Sequence, residues 1–130
     1  MDSFLPCKNL PWTSKNPMAI TNEKLTDYNF LAGMYRDGYF PDFLVDKGKA
    51  ILVDLCEQIE AQKPADLEAL YDLTHCATDA FNELQEEFED NGSEIETAAR
   101  DCIGKDFNFI AKAFGFENAD GEELIATRDW

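Results

Sequence analysis

The sequence predicts an all-α protein, arranged as an antiparallel up-and-down bundle of four main helices with a short C-terminal helix. Apolar residues recur three or four positions apart through most of the chain, which is the spacing of one face of a helix. No segment alternates apolar and polar residues in the way that a half-buried strand does. Short connections at residues 37–40, 63–65 and 91–93 favour antiparallel neighbours, because short loops join helices that lie side by side.

Residues 1–22 form an irregular N-terminal extension in this prediction, and residues 23–130 form a single helical domain. Pro6, Pro11 and Pro17 interrupt any helix in the extension. The apolar residues among them indicate either a strap across the bundle or a mobile tail. A chain of 130 residues, 45% of them apolar, is long enough for one domain with its own core.

The first main helix is predicted over residues 22–36, where one face is apolar. The second is predicted over residues 41–62, and Pro41 suits its first turn. Gly48 lies in the middle of this second helix, where glycine costs up to ~1 kcal/mol relative to alanine. We therefore expect a neighbouring helix to approach closely at Gly48.

The third main helix is predicted over residues 66–90, with Asp66 as its N-cap. Its apolar positions are spaced alternately by three and four residues, which is typical of the seam of a bundle or coiled coil. Small residues narrow the middle of the seam, and two phenylalanines widen its second half. The seam consists of Leu67, Leu70, Thr74, Ala77, Phe81, Leu84 and Phe88.

The fourth main helix is predicted to follow the turn Asn91-Gly92 and to run to about residue 114. Ser93 and Glu96 have the spacing of a capping box, in which each side chain binds a backbone N–H at the start of a helix. Gly115 is expected to end this helix. Residues 120–126 then form one short final helix.

A long acidic stretch covers the third helix and the start of the fourth. Eleven carboxylates and no basic residue occur between Lys63 and Arg100, and the whole chain has 27 acidic and 11 basic residues, a formal charge of −16. The seam register places the acids of the third helix on its solvent-facing positions. Such a surface repels nucleic acid and anionic membranes and attracts cationic partners, although ordinary solvation also explains it. The residues predicted to bind a basic partner are Asp72, Asp79, Glu83, Glu86, Glu87 and Asp90.

The single histidine, His75, is the one candidate general base, and it lies on the polar side of the third helix between Asp72 and Asp79. Neighbouring carboxylates favour the protonated ring, which is a poor base. Asp72 and His75 have the spacing of one of the two carboxylate–histidine pairs that a di-metal bundle uses. A second histidine and inward carboxylates are lacking. The pattern of a calcium-binding loop is also missing. We therefore predict no catalytic residue, no metal and no cofactor.

A pocket is the alternative prediction, placed where the narrow middle of the third helix meets the second helix. Its candidate residues are Tyr39, Phe40, Gly48, Thr74 and His75. With such a pocket, the protein would be a small-ligand-binding protein or an enzyme. The aromatic residues at the start of the second helix also suit an exposed binding hot spot, since large aromatic side chains dominate such contacts.

The four cysteines are widely spaced and contain no C-x-x-C pair, so reduced thiols are expected. No apolar run approaches the ~18–20 residues needed to cross a bilayer. The first residues lack the basic and apolar regions of a secretory signal. These observations predict a cytoplasmic protein.

Long segments of the chain resemble a bacterial family of short acidic proteins that is catalogued as a domain of unknown function. The resemblance covers roughly residues 21–130, and residues 1–20 look like a variable N-terminus. It implies no activity, cofactor, partner or catalytic residue. The segments that carry it are MYRDGYFPDFLVDKGKAILVDLCEQIE, LEALYDLTHCATDAFNELQEEFEDNGSEIETAARDCI and DFNFIAKAFGFENADGEELIATRDW.

Together these features predict a non-enzymatic, cytosolic protein-binding module that presents an acidic face. A sharper form of this hypothesis is an inhibitor or immunity-type protein that neutralises a basic enzyme, by analogy of fold and charge. The expected partner is a basic protein, with no nucleic acid and no membrane, and the chain itself is a monomer or a homodimer. The alternatives are the small-ligand binder or enzyme described above and a purely structural homodimer.

Overall fold

The computed structural model describes residues 23–26 and 28–130, so the predicted N-terminal extension lies outside the described residues. The described part contains six helices and no strand, which confirms the all-α prediction. Three of the helices are long and three are short. In chain order they are α1 (Glu23–Thr26), α2 (Ala32–Arg36), α3 (Asp42–Gln62), α4 (Leu67–Asp90), α5 (Thr97–Ala113) and α6 (Gly121–Leu124).

The predicted first main helix is two short helices, α1 and α2, with a bend between them. Leu31 has a left-handed backbone (φ 58°), and its N–H donates to Asp106 Oδ2 at 2.6 Å across the molecule. The bend allows Leu25, Phe30 and Met34, as well as Leu31, to enter the core. The single-helix prediction was wrong here because a distant buried carboxylate, invisible to local periodicity, binds the backbone at the bend.

The α3–α4 pair closely follows the predicted bounds. Asp66 caps α4, because its Oδ1 accepts the Ala69 N–H at 2.9 Å. The two helices run antiparallel: residues 63–66 join them at one end, and Lys47 Nζ contacts Glu87 Oε1 at 2.5 Å near the other. The α4 seam is buried from Leu70 to Phe88, as the heptad pattern predicts.

Gly48 marks a close contact, as expected from its place in mid-helix. A Cβ atom at Gly48 would lie 2.9 Å from Leu31 Cδ1 and 3.1 Å from Phe81 Cε1. Both neighbours are buried, so a methyl group at Gly48 would displace core side chains. Glycine therefore lets α3 pack closely against the bend and against α4.

Replacing Gly48 with alanine is expected to lower the free energy of unfolding by about 1 kcal/mol. Overpacking costs about 1–3 kcal/mol, and the better helix propensity of alanine returns up to about 1 kcal/mol. The control is Gly38→Ala, because no atom lies within 4 Å of a Cβ there. Urea unfolding of both variants provides the measurement. A Gly48→Ala protein more stable than the wild type would contradict the close packing.

The start of α5 differs from the predicted capping box. The N–H of Ser93 donates to the Phe88 carbonyl at 2.8 Å, and Gly92 (φ 76°) donates to the Glu89 carbonyl at 3.1 Å. These two bonds close the end of α4 in a Schellman motif. Ser93 is thus used to end one helix instead of starting the next, and α5 begins after Glu96, which makes no side-chain capping bond.

Residues 120–130, which we call the C-terminal segment, lie along one side of α4. Trp130 is buried, and its ring packs edge-on against Phe81 with centroids 6.2 Å apart. Phe81 also contacts Phe107 of α5, with centroids 6.1 Å apart. Phe81 therefore joins α4, α5 and the C-terminal segment in one core. None of the helices in the described part is long and apolar enough to cross a membrane.

The cysteines only partly follow the expectation of reduced thiols. Cys56 and Cys102 are free, and Cys56 is buried. Cys76 is disulfide-bonded, so the expectation is wrong for this residue. Disulfides are rare in reducing compartments, and the cysteines therefore no longer support a cytoplasmic location.

Candidate functional site

The outward side of α4 carries five carboxylates in one line, which we call the acidic ridge. Their spacings of seven, four, three and four residues keep them on the same side of the helix. The line spans 18 residues, which is about 27 Å at the rise of an α-helix. All five are exposed or half-exposed. They are Asp72, Asp79, Glu83, Glu86 and Asp90.

The ridge carboxylates are free to meet a partner. Among the residues that the structure describes, none of the five carboxylates forms an ion pair or accepts a side-chain hydrogen bond. Glu87, the sixth predicted residue, lies to one side of the ridge and is bound to Lys47. The structure thus brings five of the six predicted partner-binding residues into one continuous line and assigns the sixth to an internal ion pair.

Two exposed aromatic side chains lie at the end of the α3–α4 pair. Tyr39 is 42% exposed and Phe43 is 53% exposed, and they are the large apolar side chains that the described part leaves open to solvent. The Tyr39 ring packs edge-on against Phe40, and the Phe40 ring in turn packs edge-on against Phe88 of α4. These contacts place Tyr39 at the C-terminal end of α4, the same end at which the acidic ridge finishes.

Carboxylates surround the two rings. Asp37 Oδ1 accepts the Tyr39 N–H at 3.0 Å, Asp42 precedes Phe43, and Asp46 accepts a hydrogen bond from the Tyr35 hydroxyl. Burial, together with the Asp46 hydrogen bond and charge, raises the pKa of Tyr35 above its ordinary value.

Lys47, one helical turn after Phe43, reaches across to Glu87 and so connects α3 to the side of the ridge. We use the name acidic–aromatic surface for Tyr39, Phe43, Asp42, Asp46 and the last three ridge carboxylates, Glu83, Glu86 and Asp90.

The residues of the predicted pocket do not meet in one cavity. Phe40 packs against Phe88, and Phe88 is 13 residues from His75, a distance of about 20 Å along α4. The space beside Gly48 is filled by neighbouring side chains, and the Thr74 hydroxyl donates a hydrogen bond to the Tyr71 carbonyl at 3.1 Å. The sequence interpretation grouped these residues in one pocket, whereas the antiparallel α3–α4 pair spreads them along its length.

His75 binds the C-terminal segment, and neither flanking carboxylate is its partner. Its Nε2 lies 2.7 Å from the Glu123 carbonyl oxygen and 3.5 Å from Glu123 Oε2, and its ring stacks on Tyr71 with an interplanar angle of 12°. Because a carbonyl oxygen only accepts, Nε2 donates this hydrogen bond. The imidazole holds one segment of the protein against another.

A stripe of uncharged polar residues on α4 was missed by the sequence interpretation. Asn82 Nδ2 donates to the Thr127 carbonyl at 3.1 Å, and its Oδ1 accepts the Asp129 N–H at 2.9 Å. The signal was present as neutral residues at three- and four-residue spacing beside the acids. The neutral stripe consists of Tyr71, His75, Thr78, Asn82 and Gln85, and each of its side chains bonds to the C-terminal segment.

A second group of titratable side chains is buried between α5 and the bend. Asp106 Oδ1 accepts the Tyr28 hydroxyl at 2.5 Å, and Oδ2 accepts the Leu31 N–H. Burial raises the pKa of Asp106, although both hydrogen bonds act against that shift. Burial and the nearby Asp106 also raise the pKa of the Cys102 thiol. A thiol held protonated is a weak nucleophile, so this cluster is suited to holding the fold and not to covalent catalysis.

The described residues contain no group of three or more His, Cys, Asp or Glu side chains placed to hold a metal ion. The model of one protein family matches residues 24–130 of the chain, and the function of that family is unknown. No curated protein and no solved structure matches the chain.

Proposed function

Because the chain belongs to the family of unknown function DUF5713, we propose its function from the surface alone: a non-enzymatic module that binds a basic segment of another protein. The single observation that carries this proposal is the exposure of Tyr39 and Phe43 at the end of α4 where the acidic ridge finishes, a ridge whose carboxylates have no partner within the described residues. We assign the binding to the acidic–aromatic surface.

The two rings distinguish a docking surface from a merely solvated one. Charged side chains are enough to keep a surface solvated. Exposed aromatic rings add nothing to solvation, because apolar surface costs free energy in water. Large aromatic side chains contribute much of the binding energy at protein interfaces. A lysine or arginine placed over an aromatic face gains about 0.5–2 kcal/mol. Tyr39 and Phe43 therefore suit the role of anchors for a basic, partly apolar segment.

The acidic ridge supplies attraction at longer range. A net charge of −16 accelerates encounters with a cationic partner and repels phosphates and anionic lipids. It also disfavours a second copy of the chain on this surface, because two acidic ridges repel each other. An inhibitor or immunity-type role against a basic enzyme is the specific form of the proposal that this charge supports.

The experiment uses a fluorescent peptide of lysine, arginine and leucine at a salt concentration near 0.15 M, where long-range attraction is screened beyond about 8 Å. The Tyr39→Ala and Phe43→Ala double variant is expected to bind at least about tenfold more weakly than the wild type. Pairwise charge reversal on the ridge, Glu83→Lys with Glu86→Lys, is expected to weaken binding further than the same charge change elsewhere. The control pair is Asp101→Lys with Glu117→Lys, which are exposed and lie outside this surface.

Equal binding by the wild type and the aromatic double variant would remove the anchoring role of the rings. Equal losses in the two charge-reversed pairs would show that the peptide responds to total charge and has no preferred surface. Either result would overturn the proposal.

A further inference from the structure

A groove of opposite character to the acidic ridge lies on one side of α5. It has a volume of about 830 Å³ and runs between the outer face of α5 and the C-terminal segment. Four of the nine basic residues in the described part of the chain line it, although acids outnumber bases by more than two to one overall. These four are Arg100, Lys105, Lys112 and Arg128.

The floor of the groove is one face of α5. Asp101, Lys105, Asn108 and Lys112 follow one another at spacings of four, three and four residues, so they lie in line along the helix. One wall is Tyr28, whose ring stacks on Phe109 with centroids 4.1 Å apart and an interplanar angle of 12°. The opposite wall is the C-terminal segment.

Two glycines hold that opposite wall close to α5. A Cβ at Gly121 would lie 3.0 Å from Asn108 Nδ2, and a Cβ at Gly104 would lie 3.5 Å from Ile125 Cδ1. The C-terminal segment is also held from behind by the neutral stripe of α4. The groove is therefore already formed in the free protein, which lowers the cost of ordering on binding.

Three of the four cations form no ion pair within the described residues. Arg128 is engaged, because it contacts Glu122 Oε1 at 3.3 Å and donates to the Ile125 carbonyl at 3.1 Å. Within the described residues, no carboxylate oxygen lies within 4.0 Å of the charged groups of Arg100, Lys105 or Lys112.

Arg100 also carries an unused donor. Its Nε is buried and has no hydrogen-bond partner. A buried donor without a partner is unfavourable, so an oxyanion toward which the Arg100 side chain turns its Nε relieves that cost.

We propose that this groove binds a small organic molecule with two or more oxyanionic groups, phosphate or carboxylate. Arg100 and Lys105 are about 7.5 Å apart along α5, and Lys105 and Lys112 about 10.5 Å apart, so one oxyanion does not contact all three. Arginine suits the forked geometry of phosphate and carboxylate, and the lysines act as point charges. The volume lies within the range of about 300–1,000 Å³ typical of small-ligand sites.

The surroundings of the groove select a small ligand over a polymer. Asp101, Asp120 and Glu122 also line it and repel the continuous phosphate backbone of a nucleic acid. A compact anion contacts these cations while covering fewer of the acids than a nucleic-acid backbone does. This site shares no residue with the acidic–aromatic surface, so it extends the proposed function without depending on it.

The test measures binding of pyrophosphate and of citrate by calorimetry, with sodium chloride adjusted to keep the ionic strength constant. The wild type is expected to bind at least one of the two saturably. The double variant Lys105→Gln with Lys112→Gln, and separately Arg100→Gln, are expected to bind at least about tenfold more weakly. The control is Arg36→Gln with Lys49→Gln, which removes two exposed positive charges outside the groove and is expected to bind like the wild type.

Binding of one probe alone supports the groove and assigns its preferred oxyanion. No saturable binding of either probe up to about 10 mM would overturn the proposal. An equal loss in the control pair would overturn it as well, because the anions would then be responding to total charge. Both lysines are exposed, so far-UV circular dichroism of the variants is expected to match the wild type and to exclude misfolding as the cause.

Discussion

Replacing Phe81 with alanine is expected to lower the free energy of unfolding by about 3–5 kcal/mol, the range measured for truncating a buried phenylalanine. Phe81 is 1% exposed and contacts Phe107 of α5 and Trp130 of the C-terminal segment. It also approaches Gly48 of α3 closely enough to exclude a methyl group. Truncation therefore removes packing where α4 meets α3, α5 and the C-terminal segment, and the neighbouring side chains refill the space only in part.

The matched control for this variant is Phe43→Ala, which removes the same phenyl group from an exposed position on the neighbouring helix. Its effect on stability is expected to stay within about 0.5 kcal/mol. Urea unfolding followed by circular dichroism measures both. A loss below about 1 kcal/mol for Phe81→Ala would show that the core rearranges around the missing ring.

The second large effect is expected for Asp106→Ala, with a loss of about 2–4 kcal/mol. The substitution removes both acceptors of the Tyr28 hydroxyl and the Leu31 N–H, and hydrogen bonds to a charged group contribute about 1.5–3 kcal/mol each. Relief from burying a carboxylate offsets part of the loss. Leu31 also loses the bond that holds its left-handed backbone, a conformation that costs about 1–2 kcal/mol in a non-glycine residue.

Asp106 also predicts a specific pH dependence, which the Asp106→Asn variant isolates. Burial raises the pKa of Asp106 in the folded protein above its ordinary value of 3.8. The folded state then holds more protons than the unfolded state between these two pKa values, so the contribution of Asp106 to stability falls as the pH rises through that interval. The asparagine side chain does not titrate. The difference in stability between the wild type and Asp106→Asn is therefore expected to be largest at low pH and to shrink as the pH rises.

Asp101→Ala serves as the control for both Asp106 variants, because Asp101 is exposed on the same helix. Its stability relative to the wild type is expected to change little with pH. A wild-type advantage over Asp106→Asn that instead grows from acid to neutral pH would mean that the carboxylate is stabilised in its charged form. That outcome would contradict the dominance of burial.

Local patterns were sufficient where local physics decides the structure. The alternating spacing from Leu67 to Phe88 predicted the buried seam of α4, and Asp66 predicted its first capping bond. Gly48 predicted a close approach because its cost in a helix requires a compensating contact. In each case the cause of the structure lies within one or two turns of the residue that reveals it.

Local patterns failed where a distant or alternative partner decides. Asp106 is 75 residues from Leu31, and nothing near the predicted first helix signals that bond. Ser93 could either end α4 or cap α5. Its N–H bonds to the Phe88 carbonyl at the end of α4, and the predicted capping box does not form. The placement of the predicted site residues shows the same division. The acidic ridge follows from helical periodicity, whereas the pocket required knowledge of which helix ends meet.

The neutral stripe of α4 also limits how acidic this helix can become. The C-terminal segment presents to it the carbonyl oxygens of Glu123, Leu124 and Thr127, and each accepts a hydrogen bond from a side chain of the stripe. An ionised carboxylate has lone pairs but no proton to give, so aspartate or glutamate at His75 or Asn82 would face the carbonyls with acceptor against acceptor. The enrichment in acids along the rest of α4 therefore stops at these positions. At the neutral stripe, the backbone of the C-terminal segment takes the place of solvent.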